Sequence, residues 1–75
     1  MPKREQILAA FGQRLRKMRE AKGLTQGILA EKADMDRTYI SDIERGLRNP
    51  GIKNVARLAK ALSVTSAMLM EGVDE

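Results

Sequence analysis

Arg37, Thr38 and Tyr39 stand side by side directly after Asp36 and open a short segment, Arg37-Thr38-Tyr39-Ile40-Ser41-Asp42-Ile43-Glu44. A guanidinium, three hydroxyls and two carboxylates within little more than two helical turns can donate to and accept from nucleobase edges and phosphate oxygens. Upstream, Thr25-Gln26-Gly27-Ile28-Leu29-Ala30-Glu31-Lys32-Ala33 reads as a second short helix, with Asp34-Met35 as the turn between them. A helix pair of that shape can set one helix against a sugar–phosphate backbone and slide the other into a major groove.

Other chemistry is sparse. The chain has 75 residues with no cysteine and no histidine, which removes disulfides, thiolate or imidazole metal sites, and Ser/His or Cys/His catalysis. There is no clustered carboxylate motif and no glycine-rich phosphate loop, so an enzyme is the least supported class. No cofactor, metal or small-molecule effector is expected. The longest apolar run, Ile7-Leu8-Ala9-Ala10-Phe11, is too short for a signal peptide or a membrane span, so the expected location is the cytoplasm, with no membrane partner.

The net charge of +4 is unevenly placed: +5 over residues 1–22, +2 over residues 23–62 and −3 over residues 63–75. The first two thirds suit a polyanion, whereas the tail repels one. A chain of this size buries only about 60% of its unfolded surface, a marginal core for which dimerisation is a common remedy.

To hold the helix pair, the remaining sequence must supply packing partners, and its apolar spacing is helical throughout. The expectation is a single all-α domain over residues 1–75, with five helices at about 4–21, 26–33, 37–45, 52–62 and 66–71. Ile7, Phe11, Leu15 and Met18 make one stripe on the first helix, and Gly23 stops it. Thr25 and Asp36 cap the second and third helices, and Gly46 ends the third. Leu47-Arg48-Asn49-Pro50-Gly51 is a loop. Ile52, Val55, Leu58, Ala59 and Leu62 are expected to face inward from the fourth helix. Thr65 or Ser66 caps the last helix, and Gly72-Val73-Asp74-Glu75 should fray. Ala30 lets the paired helices approach closely, Leu29, Ala33, Ile40 and Ile43 bury the pair, and Asp34 must tolerate a left-handed turn. Gly27 weakens its helix by about 1 kcal/mol relative to alanine.

The words Phe11-Gly12-Gln13-Arg14-Leu15-Arg16, Lys22-Gly23-Leu24-Thr25-Gln26, Leu29-Ala30, Tyr39-Ile40-Ser41, Ile43-Glu44-Arg45-Gly46, Arg48-Asn49-Pro50 and Leu58-Ala59-Lys60-Ala61-Leu62 together resemble the lambda-repressor-like, or XRE, family of helix-turn-helix proteins. The resemblance runs from about Phe11 to Met70. The segment Asp36 to Arg45 is most similar to the controller proteins of restriction–modification systems, small dimeric regulators of about this length. Two positions depart from the pattern: Asp34 replaces a turn glycine, and Gly27-Ile28 replaces a common acidic pair. Both bear on helix stability rather than on DNA contact.

The resemblance implies a compact five-helix domain that binds double-stranded DNA as a homodimer on a palindromic operator. Gln26 matches the family's phosphate-contacting glutamine, at a helix start whose free N–H groups suit an anion. Arg37 can pair with guanine O6 and N7, the plain alternatives being a phosphate contact or a solvated arginine. Thr38 meets a thymine methyl or a phosphate. Asp42 can accept from cytosine N4 while repelling wrong sequences. Tyr39, Ser41, Arg45, Arg48 and Asn49 are expected at phosphates, with Arg14, Arg16 and Lys17 adding to the long-range field. Arg19 and Glu44 match a buried ion pair tying the first helix to the end of the third.

Met68, Leu69, Met70 and Val73 give the chain's end more apolar surface than so short a helix can bury. The plain reading is a cap on the core, and the sharper one is a two-fold homodimer interface formed by the fifth helix with part of the fourth. The competing functional classes are a phage-type repressor and an antitoxin-like autoregulator that also binds a protein partner.

Overall fold

The computed structural model describes residues 3–74; Met1, Pro2 and the tail residue Glu75 lie outside them. Among the described residues there are five helices and no strand: α1 (Arg4–Ala21), α2 (Gln26–Ala33), α3 (Arg37–Glu44), α4 (Gly51–Ala61) and α5 (Ser66–Met70). The all-α architecture read from the spacing is the one observed.

Local chemistry sets the boundaries. Lys3 N–H donates to Gln6 Oε1 (2.8 Å) at the start of α1. Thr25 Oγ1 accepts from Ile28 N–H (3.1 Å), Asp36 Oδ1 from Thr38 N–H (2.8 Å), and Thr65 Oγ1 from Met68 N–H (3.1 Å), satisfying one orphan donor at each of three helix starts. Asp34 ends α2 in the left-handed region (φ 56°, ψ 52°), where aspartate is among the few residues other than glycine that are tolerated.

Helices α1 and α3 cross at Gly12. A Cβ built there would lie 2.5 Å from the carbonyl oxygen of Glu44 and 2.8 Å from its carbon, so only glycine allows the approach. Helix α2 packs on α3 and α4, α1 also packs on α5, and α4 on α5. Leu15, Leu29, Ile40, Ile43, Leu58, Leu62 and Leu69 are fully buried where these helices meet. The helix pair is therefore held from both sides.

Two expectations are corrected. Ile52 is 90% exposed rather than inward-facing. Its period is that of Val55, Ala59 and Leu62, but among the described residues none covers the Ile52 side chain. Val73, expected to fray and to contribute to a subunit contact, is 3% exposed and belongs to the core. Gly72, at φ +77°, turns the chain back and Val73 N–H donates to Met70 O (3.1 Å), which seats the isopropyl group under α5.

Candidate nucleic-acid interface

Helix α3 is divided lengthwise. Ile40 and Ile43 are fully buried and Glu44 is buried with them, whereas Arg37, Thr38 and Arg45 are exposed and Ser41 and Asp42 half-buried. The polar side chains singled out by their spacing thus share one outward face, fixed by the apolar face behind it.

Beneath the end of α3, Arg19 Nε and Nη2 donate to Glu44 Oε2 and Oε1 at 2.7 and 3.0 Å, while Arg19 Nη1 donates to Leu24 O (2.7 Å). Gln26 Nε2 adds a bond to Glu44 Oε1 (3.0 Å). The carboxylate therefore holds α1, the start of α2 and the end of α3 together. The hydrogen bonds that Arg19 donates to Glu44, ahead of the opposing cost of burial, raise the Arg19 pKa above its ordinary value. A raised value for a cation means that the contribution is fully present at neutral pH and is lost only in strong alkali. Gln26, expected at a phosphate, has one amide hydrogen committed to Glu44 and a second without an acceptor among the described residues, because a primary amide carries two.

The surface beyond Glu44 brings together residues to which spacing alone assigns separate duties. The Arg48 guanidinium lies 5.2 Å from the centre of the Tyr39 ring, and its Nη2 is 3.8 Å from Asp42 Oδ2. Exposed pairs of this kind contribute about 0–1 kcal/mol, so Arg48 and Asp42 exchange partners at little cost. Asn49 Oδ1 accepts from Gly51 N–H (3.0 Å) and steadies the entry to α4, leaving its NH2 outward.

Two residues of this region carried no signal. Asn54 Nδ2 donates to the Tyr39 hydroxyl (3.1 Å) and Arg57 Nη2 to the carbonyls of Ala33 (2.9 Å) and Asp34 (2.8 Å). Both lie on the polar side of α4, where a periodic pattern shows only a solvated face. Arg14, assigned to the long-range field, instead donates to Met68 O from Nε (3.2 Å) and Nη2 (2.8 Å), tying α1 to α5.

A second surface lies between α1, α4 and α5. It is an apolar groove of about 570 Å³, lined by Ile7, Leu8, Ile52, Val55, Ala56 and Met70 among others. Met70, 38% exposed, lines it, and Met68 is 47% exposed on the same short helix without lining the groove, whereas Leu69 is fully buried in its own chain. Of the residues expected at a subunit contact, only the two methionines are thus available, and Ile52 joins them. Among the described residues no helix is long and apolar enough to cross a membrane, and no group of three or more His, Cys, Asp or Glu is placed to hold a metal ion.

A capped helix, a left-handed turn and a second helix with an outward polar face define a helix-turn-helix protein. The family pattern described as helix-turn-helix matches residues 15–69, and the chain belongs to that family. Within it, the chain is 45% identical over 66 residues to control protein C.BamHI of Bacillus amyloliquefaciens, covering 87% of this chain and 82% of that one. The crystal structure of the restriction–modification controller protein C.AhdI from Aeromonas hydrophila superposes with a TM-score of 0.81 at 47% identity, covering 83% of this chain and 94% of the other. The controller protein C.Esp1396I, crystallised as a tetramer with its natural 35 base-pair operator, superposes with a TM-score of 0.82 at 40% identity, covering 91% and 90%.

Proposed function

We propose that this chain is a controller protein of the restriction–modification type: a cytoplasmic, homodimeric, sequence-specific regulator of transcription that binds double-stranded DNA through α3 and is not an enzyme. The observation that carries the reading is the outward face of α3, where Arg37 and Thr38 are exposed directly above a buried Ile40 and Ile43. Side chains so placed are free to enter a major groove, and the helix that bears them is rigidly backed. The sequence similarity to control proteins over most of the chain supports the same role.

Base edges are read by Arg37, Thr38 and Asp42. Gln26, Tyr39, Ser41, Arg45, Arg48 and Asn49 meet phosphates around them and set the register. A second copy of the chain covers the groove between α1, α4 and α5 through Ile52 and Met70, and reaches the exposed Met68 of the same α5. A two-fold axis there presents two copies of α3 about 34–36 Å apart, one helical turn of DNA, and so selects a palindromic site.

The test is selection of bound duplexes from a random pool by the purified protein, followed by competition between a selected duplex and a scrambled one of the same composition. An enriched palindrome that outcompetes its scrambled counterpart is expected. Equal competition overturns the reading.

A further inference from the structure

Arg57, Asn54 and Tyr39 form a chain of side-chain hydrogen bonds from the turn of the helix pair to the outer face of α3. Arg57 Nη2 takes the last carbonyls of α2, those of Ala33 and Asp34, and its Nη1 donates to Asn54 Oδ1 (3.3 Å). A guanidinium only donates, so the Asn54 atom that faces it must be the amide oxygen. The amide nitrogen is thereby turned toward Tyr39, where it donates to the hydroxyl oxygen (3.1 Å).

A phenol has one proton to give, and here its oxygen already accepts. The hydrogen bonds among the described residues provide no acceptor for that proton. Tyr39 is itself half-buried, with Arg48 over its ring. The hydroxyl is thus fixed in one role.

We infer that Asn54, braced by Arg57, is a positioning residue that fixes the Tyr39 hydroxyl as a hydrogen-bond donor to an anionic oxygen of the DNA backbone. The inference rests on the reading of α3 as the DNA-binding element. It links that contact to the geometry of the turn, because the same guanidinium holds the end of α2 and the oxygen of Asn54. Asn54 does not belong to the buried core, so its loss is felt in binding far more than in folding, whereas Arg57 also holds the end of α2.

A double-mutant cycle tests this, with the duplex selected by the wild-type protein as probe and its scrambled version as control. Tyr39→Phe should weaken binding to the selected duplex at least about tenfold, the scale of a hydrogen bond to a charged group. Asn54→Ala should weaken it about three- to tenfold while leaving the melting temperature unchanged, and should cost less than about twofold when Tyr39→Phe is already present. The near-isosteric Asn54→Asp offers only acceptors and captures the phenolic proton. It should therefore weaken binding more than Asn54→Ala in the Tyr39 chain, with only the effect of its charge remaining beside Tyr39→Phe. Equal losses for Asn54→Ala with and without the Tyr39 hydroxyl would overturn the positioning role while leaving the DNA reading intact. A wild-type protein indifferent to selected and scrambled duplexes would overturn both.

Discussion

Arg19 and Glu44 meet in a two-pronged ion pair at 2.7 and 3.0 Å, with side chains 10% and 3% exposed. Gln26 and the Leu24 carbonyl complete the arrangement, and among the described residues no buried side-chain polar atom lacks a partner. Such a pair need not stabilise a fold relative to apolar residues of the same volume, but removing one partner strands the other charge at a cost of roughly 3–5 kcal/mol. Glu44→Ala should therefore lower the unfolding free energy by about that amount in urea titrations followed by circular dichroism. Arg19→Met combined with Glu44→Leu should be less damaging than either change alone. Wild-type melting of Glu44→Ala, with DNA binding abolished, would move Glu44 from a structural role to a functional one.

Gly12 predicts a second large effect. The backbone of α3 occupies the space a Cβ would need, and backbone cannot rotate aside as a side chain can. Gly12→Ala should destabilise the domain by about 3 kcal/mol or more, at the upper end of overpacking costs. A melting curve superposable on that of the wild type would show that α1 and α3 separate more easily than their close approach implies.

Gly27 predicts the opposite sign. The nearest atoms to a Cβ at this position are Arg37 Cδ and Thr25 Oγ1, both at 3.9 Å, an ordinary van der Waals distance. Gly27→Ala should stabilise the protein by up to about 1 kcal/mol through helix propensity. Lowered stability would mean that the first turn of α2 uses backbone freedom that alanine lacks.

Much of this framework is legible in the sequence because its causes are local. Thr25, Asp36 and Gly23 act on residues within one turn of themselves, and helix limits follow to within a residue or so. Ile52 shows where periodicity stops: spacing gives the direction of a side chain, not whether anything lies there to meet it. Val73 escapes the pattern because its burial depends on a turn at Gly72 against α5, a tertiary effect in a segment that looks like a tail. The Arg57–Asn54–Tyr39 chain is invisible for a related reason. Its links span 3 to 24 residues, and two of its members, Asn54 and Arg57, are side chains that a pattern assigns to solvent.

The groove that leaves Ile52 uncovered predicts the oligomeric state. Wild-type protein should sediment at twice the 8.4 kDa chain mass, and its melting temperature should rise with concentration. Met68→Lys with Met70→Lys, or Ile52→Lys alone, should sediment as single chains that retain helical circular dichroism, since none of these side chains belongs to the core. An unchanged dimer mass in both variants would rule out this face as the interface.

Arg37 and Arg48 carry the same charge but differ in what surrounds them, and their variants should separate specificity from attraction. Arg37 is exposed at the first turn of α3, where a guanidinium can make two bonds to one guanine. Arg37→Ala should cost about 1–3 kcal/mol on the selected duplex and relax preference at one base pair per half-site. Arg48 sits over the Tyr39 ring and shares Asp42. A backbone phosphate competes for its guanidinium with a carboxylate that holds it only weakly. Arg48→Ala should weaken selected and scrambled duplexes alike and reduce the slope of log K against log salt by about 0.9 for each phosphate that is no longer neutralised. Binding isotherms across a salt series, run on both duplexes, read the two effects together. Arg48→Ala altering preference with an unchanged slope would place Arg48, rather than Arg37, at the base edge.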